Sequence, residues 1–482
     1  MRQRRVPSAE DPLAKSLSAW LGGPLGRYAS VRRTLIGPLT ALLLVTTATF
    51  TIGLLQKSPC LADGYADRGP TFTRLCYSDV VFLFRERGFA DGFVAYLDSG
   101  PYPALEYPVL AGGWMQVTAW AARLLGNSPD PTSLFSPDLM FFALTVLGLF
   151  AAALVTVVLL ARFRPDRPYD ALFFAAAPSL ALVSTINWDL LAVALTTGAL
   201  FCASRGRPAW AGVLIGLGAA MKLYPLLILG PLFVVCWRSW LDRRRGSDTS
   251  DRLMFADGET DSHPALDFTA VATTFVVAVG TWIAVNLPVL LLARASWLEF
   301  YTFNRDRGAE FGSVWLAFGL DNPDLAWAQP FVNAASLLLF ALACGAIALL
   351  GLRATRPASI AQLAFLTVAA FCVFNKVYSP QYVLWLLPLI ALCAPRWRDW
   401  SIWQGAEAFY WLAVWLHLAE VTTPADGGSD QFYALAIFLR ISATIYLVSR
   451  VVHDILAPKG GERLRARYAT PTRFDSMQEV AR

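Results

Sequence analysis

The chain has 482 residues, of which 56% are hydrophobic and only 16% are charged, and it contains 17 tryptophans. A soluble protein of this length carries nearer a quarter of charged residues, so the composition excludes a soluble enzyme with a single membrane anchor. Apolar runs long enough to cross a bilayer recur along the whole chain and predict an all-α polytopic membrane protein. The net charge of +5 comes from short basic clusters between these runs. Such clusters orient membrane spans and do not indicate a nucleic-acid partner.

The first third of the chain is organised around a long polar loop. Basic residues place the segment 1–33 in the cytoplasm, and the first span is predicted at 34–55. The chain then enters an extracytoplasmic loop at 56–137. Within it, 107–125 is only weakly apolar and is predicted to be an interfacial helix lying on the membrane. If 107–125 crossed the bilayer, the arginines at 162–167 would face outward.

The later spans are assigned so that the arginine clusters face the cytoplasm. They are predicted at 138–161, 169–186, 189–204, 209–221, 223–237, 267–292, 331–352, 359–374, 381–394, 401–419 and 432–452. A cytoplasmic loop is predicted at 238–266, a second extracytoplasmic loop at 293–330 and a cytoplasmic tail at 453–482. The pattern thus predicts a transmembrane domain at 34–452 with about twelve transmembrane helices and both termini inside.

Cysteine usage adds one structural hypothesis. Cys60 and Cys76 share the first polar loop, whereas the other five cysteines lie in apolar segments, where cysteine is typically a small packing residue. If the loop is extracytoplasmic, a disulfide between Cys60 and Cys76 is compatible with its compartment. The sequence does not fix the distance between them, so the bonded and free states both stay open.

Polar groups of interest gather on the predicted outer face. They are Asp79, the Glu106-Tyr107-Pro108 turn, Asn187-Trp188-Asp189, Lys222, the loop 293–330 and Asn375-Lys376. Ionisable groups at membrane depth are costly and usually line cavities, which favours a functional site. The alternatives are that Lys222 and Lys376 extend to the interface and that Arg305 and Arg307 form surface ion pairs.

Asp79 is the best candidate for a general base. It lies between Tyr77 and the apolar run at 80–84, so partial burial is expected to raise its pKa. The alternative is a structural role as the N-cap of a helix at 80–87. Asp189 has a similar alternative role, since an Asp at a helix N-terminus satisfies free N–H groups.

Signatures of soluble enzymes are missing from the sequence. It has no P-loop, no G-x-G-x-x-G after a strand and no H-E-x-x-H, and its three histidines are scattered. These observations predict no cofactor and no zinc site, and leave a divalent cation open. They favour a substrate that is activated elsewhere and delivered within the membrane.

Several stretches resemble the GT-C class of integral membrane glycosyltransferases, and within it the polyprenyl-phosphate-mannose-dependent mannosyltransferases of glycosyltransferase family 87 from actinobacteria. They are Tyr77-Ser78-Asp79, EYPVL at 106–110, NWDLLAVAL at 187–195, MKLYPLLIL at 221–229 and NKVYSPQYVLWLLPL at 375–389. The last two are the most specific. This chain has Tyr-Pro-Val at 107–109 where many relatives have Tyr-Pro-Pro, a departure that concerns only local backbone geometry.

The resemblance implies an inverting sugar transfer at the outer face of the plasma membrane, from a polyprenyl-phosphate sugar to a glycolipid or glycan acceptor. Asp79 would deprotonate the acceptor hydroxyl. The residues expected to bind the donor phosphate are Lys222, Lys376, Arg305 and Arg307. Those expected to bind the sugar or the acceptor are Glu106, Tyr107, Asn187, Asp189, Asn375, Tyr378 and Gln381.

Two other function classes stay open at this point. About twelve spans with buried charges also suit a membrane transporter or a flippase for lipid-linked sugars. Against transport, long outer loops are unnecessary for alternating access, and no inverted repeat links the halves. The third possibility is a noncatalytic scaffold of envelope synthesis. The sequence leaves the donor sugar, mannose or arabinose, and the acceptor undetermined.

Overall fold

The computed structural model describes residues 37–98, 100–165, 167–245, 267–320, 329–355, 357–423 and 430–457. The predicted cytoplasmic segment 1–33 lies outside these residues, as do 246–266 of the predicted cytoplasmic loop, 321–328 of the second outer loop and most of the tail. The fold is that of one unit, Leu42–Ile455. The chain ends form a second unit, of which only 37–41 and 456–457 are described.

The described residues of the first half of the chain contain ten α-helices. They are α1 (Pro38–Ala62), α2 (Gly69–Thr73), α3 (Asp79–Glu86), α4 (Val109–Leu125), α5 (Pro137–Phe163), α6 (Leu172–Ala175), α7 (Pro178–Val183), α8 (Asp189–Ser204), α9 (Pro208–Met221) and α10 (Leu229–Arg244). Two 3₁₀ turns, Pro168–Ala171 and Tyr224–Ile228, lead into α6 and α10.

The second half continues the same architecture in its described residues. Its helices are α11 (Phe268–Leu292), α12 (Arg294–Asp306), α13 (Val314–Gly319), α14 (Gln329–Arg353), α15 (Ile360–Phe374), α16 (Val383–Leu392), α17 (Trp397–Leu418) and α18 (Asp430–Leu456). A 3₁₀ turn, Pro380–Tyr382, leads into α16.

Six helical segments in the described residues are long and apolar enough to cross a membrane: α1, α5, α10 with its preceding 3₁₀ turn, α11, α14 and α18. Four shorter apolar helices, Asp189–Ser204, Pro208–Met221, Ile360–Phe374 and Pro380–Leu392, accompany them. In α11 and α14 only 11% of the most apolar window is buried within the protein, so most of that surface is left for lipid. The chain is therefore an all-α multi-pass membrane protein, as predicted; the count of about twelve spans stays a prediction.

The span predicted at 169–186 is not one continuous helix. The structure has a 3₁₀ turn and two short helices there, α6 and α7. Proline is the cause. Pro178 begins α7 and forces the preceding Ala177 into an extended conformation (φ −70°, ψ 123°), because a residue before proline avoids the helical region. Pro168 begins the 3₁₀ turn in the same way.

The chain leaves helical geometry at both predicted hairpin turns. The helix after the first turn, with its 3₁₀ turn, runs Tyr224–Arg244 over 21 residues, so it is longer than the short helix predicted at 223–237. Lys222 ends α9 in an extended conformation (φ −159°, ψ 138°), and Asn375 ends α15 similarly (φ −66°, ψ 151°). Gly212 and Gly216 let α9 approach α11 closely. A Cβ atom on Gly216 would lie 2.5 Å from the carbonyl oxygen of Ala278, so only glycine fits there.

The second outer loop is more structured than a loop prediction implies. It contains α12, in which none of the residues is buried, and the short α13. After α12 the chain pairs with the turn that follows α15. Glu310 N–H donates to Lys376 O at 2.9 Å, and Tyr378 N–H donates to Phe311 O at 2.9 Å. This short parallel bridge joins the loop to the turn and brings both to one end of the helix bundle.

A disulfide fixes the start of the first polar loop. Cys60, near the end of α1, is bonded to Cys76, with their Cα atoms 6.0 Å apart. Tyr65 reinforces the closed loop, since its hydroxyl donates to Cys76 O at 3.0 Å. Lys57, buried in α1, donates to Tyr77 O at 2.8 Å. The segment that carries Tyr77 and Asp79 is therefore held by both a covalent bond and buried hydrogen bonds.

Candidate active site

A cavity of about 690 Å³ lies where the first polar loop, the two hairpin turns and the second loop meet. Most of the polar residues that the sequence singled out line it: Asp79, Glu106, Tyr107, Asn187, Lys222, Arg307, Asn375, Lys376 and Gln381. The cavity wall also includes charged residues that the sequence analysis did not select: Arg68, Glu86, Arg87 and Glu310. Five separate parts of the chain thus converge on one space.

Hydrogen bonds at Ser78 and at the Asp79 backbone position the Asp79 side chain in this cavity. Ser78, not Asp79, caps α3, because the Ser78 hydroxyl accepts from Val80 N–H at 3.3 Å. The backbone docks on the Asn187 turn, since Asp79 N–H donates to Ile186 O at 2.9 Å. The carboxylate is therefore free of capping and faces the cavity, which removes the alternative role as the N-cap.

Neutral donors orient the Asp79 carboxylate. Tyr77 Oη–H donates to Oδ1 at 2.6 Å, and Asn187 Nδ2 donates to Oδ2 at 3.0 Å. Asn187 Nδ2 also donates to Tyr107 Oη at 2.7 Å, so Tyr107 and Asp79 share one amide. Burial raises the pKa of Asp79, and it outweighs these hydrogen bonds and the nearby charges of Lys222 and Arg68, which act to lower the pKa. The result is a positioned carboxylate with increased basicity.

Lys222 is held by a buried carboxylate behind it. Its Nζ lies 3.3 Å from Asp189 Oδ2, and it lies over the Tyr107 ring at 5.5 Å from the centroid. The Asp189 side chain is fully buried, and its other oxygen accepts from Trp385 Nε1 at 2.7 Å. Asp189 is not among the cavity-lining residues, contrary to its expected contact with sugar. Instead it orients two side chains that do line the cavity, Lys222 and Trp385.

Glu106 already has a partner within the cavity wall. Arg87 binds it in a bidentate pair, with Nε to Oε2 at 2.9 Å and Nη2 to Oε1 at 2.7 Å. Such forked pairs are rigid and leave carboxylate lone pairs for further hydrogen bonds. Glu106 can therefore accept from a bound hydroxyl without losing Arg87.

Lys376 lines the cavity, but its amine is committed to the second loop. Nζ donates to Arg305 O at 3.0 Å, to Arg307 O at 2.8 Å and to Asn333 Oδ1 at 2.6 Å. These three bonds use all the donors of an ammonium group. Burial, together with the positive charge of Arg307, lowers the pKa of Lys376. In this arrangement Lys376 anchors the loop rather than presenting a free cation.

This geometry predicts that Lys376→Met will loosen the second loop. Amide hydrogen exchange at 305–311 should accelerate, because the hydrogen bonds of Lys376 to Arg305 O, Arg307 O and Asn333 Oδ1 are lost. Lys222→Met serves as the matched control, since Lys222 contacts Asp189 and Tyr107 instead, and exchange at 305–311 should stay unchanged. Unaltered exchange in the Lys376 variant would contradict the anchoring role.

The two arginines of the second loop differ in position. Arg305 is exposed, does not line the cavity and pairs with its neighbour Asp306 at 2.6 Å, as the surface alternative expects. Arg307 lines the cavity and pairs with Glu310. Its Nε is buried and has no hydrogen-bond partner among the described residues. Of the two, Arg307 is the one placed to meet an anionic group.

Tyr378 lies in the turn that follows α15, and its side chain is fully buried. Arg440 donates to the carbonyls of Tyr378 and Ser379 at 2.5 and 3.2 Å, and pairs with Glu407 at 2.8 Å. Both ion-pair partners lie inside helices, and neither was selected from the sequence. A charged residue within each of two predicted spans was the available signal. Glu407 and Arg440 therefore act as a scaffold for the turn that presents Gln381.

Metal ligation has no built site in the described part of the chain, where no group of three or more His, Cys, Asp or Glu side chains converges. The polar groups of the cavity are instead carboxylates paired with cations, amides and phenols. Such a set can accept a proton, bind hydroxyls and place positive charge near an anion.

Comparisons with known proteins give a family. Residues 183–456, more than half of the chain, match a family model described as mannosyltransferase (PIG-M). The match includes the turns with Asn187, Lys222 and Asn375, and does not include the first loop with Asp79. No curated protein matches the chain. The crystal structure of ArnT from Cupriavidus metallidurans bound to undecaprenyl phosphate is similar at 13% identity and a TM-score of 0.39, over 86% of this chain and 77% of that one. A likeness of that size supports no argument about mechanism.

Proposed function

The chain belongs to the mannosyltransferase (PIG-M) family, and on that premise we propose that it transfers mannose from a polyprenyl-phosphate donor to a glycolipid or polysaccharide of the cell envelope. We further propose an inverting mechanism, GT-C architecture and a relationship to family 87. The proposed mechanism rests on which of the acidic side chains that line the cavity form ion pairs. Glu86, Glu106 and Glu310 each pair with an arginine, whereas Asp79 is the lining acid without an ion pair in the described residues.

Asp79 supplies the base in this proposal. The acceptor hydroxyl gives its proton to the carboxylate while its oxygen forms a bond to the anomeric carbon of the donor. The bond from that carbon to the phosphate oxygen breaks, and polyprenyl phosphate leaves with the electron pair. Attack from the face opposite the phosphate inverts the anomeric configuration. Base and acceptor therefore act on one side of the sugar, and the cations act on the other.

Lys222 is the cation proposed to stabilise the leaving phosphate. It is partly exposed to the cavity and is kept in place by the buried Asp189. Arg307 lines the cavity and adds a second positive group. Lys376 contributes indirectly, by holding the loop that carries Arg307.

An aromatic row beside Lys222 suits the lipid part of the donor. Tyr382 stacks on Trp385 with centroids 3.9 Å apart, and Trp385 stacks on Tyr224 at 4.4 Å. All three rings line the cavity, together with the apolar Leu223 and Phe371. Flat apolar surfaces next to a cation match an isoprenoid chain that ends in a phosphate.

We propose that the cavity opens on the extracytoplasmic side of the plasma membrane and that both termini are cytoplasmic. The disulfide between Cys60 and Cys76 supports this orientation, because disulfides persist in oxidising compartments. The arginine clusters of the intervening turns support it independently. The loops 56–137 and 293–330 then cover the cavity from outside, with 107–125 as an interfacial helix.

A topology measurement tests the orientation. A reporter domain inserted after Gly126 should read extracytoplasmic, because that position follows a helix proposed to lie on the outer surface. Insertion after Gly206, in a turn flanked by Arg205 and Arg207, is the control and should read cytoplasmic. A cytoplasmic readout after Gly126 would show that 107–125 crosses the membrane.

The function is tested with purified protein in nanodiscs. Polyprenyl-phosphate mannose and polyprenyl-phosphate arabinose are each offered with a panel of glycolipid acceptors, and the product linkage is read by NMR. The proposal expects transfer of mannose with inverted anomeric configuration. Retention of configuration, or transfer of arabinose alone, would contradict it.

A further inference from the structure

Three aromatic rings form a continuous wall on the Asp79 side of the cavity. Phe72 stacks on Trp415 with an interplanar angle of 10° and centroids 5.9 Å apart. Tyr77 lies 5.0 Å from Phe72 and 5.1 Å from Trp415. All three line the cavity, with Phe72 and Tyr77 partly exposed and Trp415 nearly buried behind them. This set of three rings is here named the aromatic wall.

The aromatic wall is joined to the proposed base. The Tyr77 hydroxyl donates to Asp79 Oδ1 at 2.6 Å, so the wall ends at the carboxylate. Two arginine–carboxylate pairs flank it, Arg68 with Glu86 at 2.5 Å and Arg87 with Glu106 at 2.7 Å. An apolar ring surface bordered by planar charged groups complements a pyranose, which has an apolar C–H face and a rim of hydroxyls.

We propose that the aromatic wall is the acceptor subsite and that it binds the sugar ring that receives the new linkage. The inference rests on the proposed function and specifies the acceptor as a glycan residue rather than a simple lipid alcohol. A pyranose packed on Phe72 and Tyr77 presents a rim hydroxyl to Asp79, while Glu106 accepts from a neighbouring hydroxyl. The donor groups Lys222 and Trp385 lie in other parts of the chain and do not belong to this subsite.

The disulfide determines the shape of this subsite. Phe72 lies inside the loop that Cys60 and Cys76 close, and Tyr77 directly follows Cys76. Trp415 comes from α17, so the wall depends on the loop, closed by the disulfide, that holds Phe72 against it. Opening the disulfide is therefore expected to weaken acceptor binding and to leave donor binding unchanged.

The first test uses octyl mannoside as the acceptor probe and octanol as the control without a sugar ring. Phe72→Ala should raise the KM for octyl mannoside about tenfold and leave the KM for polyprenyl-phosphate mannose unchanged. Phe93→Ala is the matched control, because Phe93 lies in the same loop and packs on Tyr102 outside the cavity. An unchanged acceptor KM in Phe72→Ala, or equal use of octanol and octyl mannoside by the wild type, would overturn the subsite.

The second test measures binding without turnover. Isothermal titration of octyl mannoside into nanodisc-embedded protein is run before and after reduction with dithiothreitol, and with a variant carrying Cys60→Ser and Cys76→Ser. Both treatments should weaken binding by a similar factor, and reoxidation of the reduced protein should restore it. Binding without transfer would reject the proposed function and keep the subsite. No binding by the wild type would reject the subsite, and unchanged binding by the variant without the disulfide would reject the dependence of the subsite on that bond.

Discussion

Asp79→Asn is expected to reduce mannosyl transfer by on the order of 10²–10⁴-fold, because it removes the proton acceptor and keeps the shape of the side chain. The amide oxygen can still accept from the Tyr77 hydroxyl, while the NH2 group replaces the oxygen that accepts from Asn187 Nδ2, so that one hydrogen bond is lost. Ser78 still caps α3, so folding and membrane insertion should be retained. The measurement is the initial rate with saturating donor and acceptor, together with the thermal midpoint of the purified variant.

Asp98→Asn is the matched control for Asp79→Asn. Asp98 lies in the same loop, is exposed and accepts from Val94 N–H, and it does not line the cavity. It should leave the rate within a small factor of wild type. A well-folded Asp79→Asn protein with near-normal turnover would exclude Asp79 as the base and leave Glu106 as the next acid in the cavity.

The pH dependence follows from the same carboxylate. Transfer requires the ionised form, so the rate falls as pH drops through the pKa of Asp79. Because burial raises that pKa, the acid limb should lie at higher pH than for an exposed aspartate. The groups that act on it are Tyr77, Asn187, Lys222 and Arg68.

Lys222→Met is expected to cause the second largest loss, on the order of 10²-fold in kcat, because the cation at the leaving phosphate is removed. The substitution also leaves Asp189 buried without its cation, which costs stability on its own. The thermal midpoint should therefore fall together with the rate.

A double variant separates these two effects. Lys222→Met combined with Asp189→Asn removes both charges and should recover stability, while transfer stays low. Lys222→Arg keeps the charge and should retain more activity than Lys222→Met or the double variant. If the double variant recovered the rate along with the stability, Lys222 would be a structural partner of Asp189 and not a phosphate ligand.

The sequence predicted the fold class, and most of the polar residues that it singled out line the cavity, because both depend on strong local signals. It is costly to bury a charged side chain at membrane depth, so such residues mark a site. Here the signals were lysines at breaks between apolar helices and an Asp beside an apolar run. The broken segment at 169–186 was missed because its apolarity resembles that of a span. The signal against a continuous helix was Pro178, which interrupts the pattern.

The division of roles within the site depends on tertiary contacts that no local pattern specifies. Asp189 and Lys376 were expected to meet substrate, and the structure pairs the first with Lys222 and the second with carbonyls of the second loop. Arg68 and Arg87 were not selected, since an arginine in a long polar loop is usually solvated. Their place in the cavity arises from the docking of that loop on the Asn187 turn.

The donor requirement of the purified protein distinguishes a lipid-linked mannosyltransferase from an enzyme that uses a nucleotide sugar. Labelled mannose is supplied either as polyprenyl-phosphate mannose or as GDP-mannose, with octyl mannoside as acceptor and Asp79→Asn in parallel. We expect transfer from the lipid-linked donor alone, with loss of that transfer in Asp79→Asn. Transfer from GDP-mannose without a lipid intermediate, or equal transfer by wild type and Asp79→Asn, would contradict it.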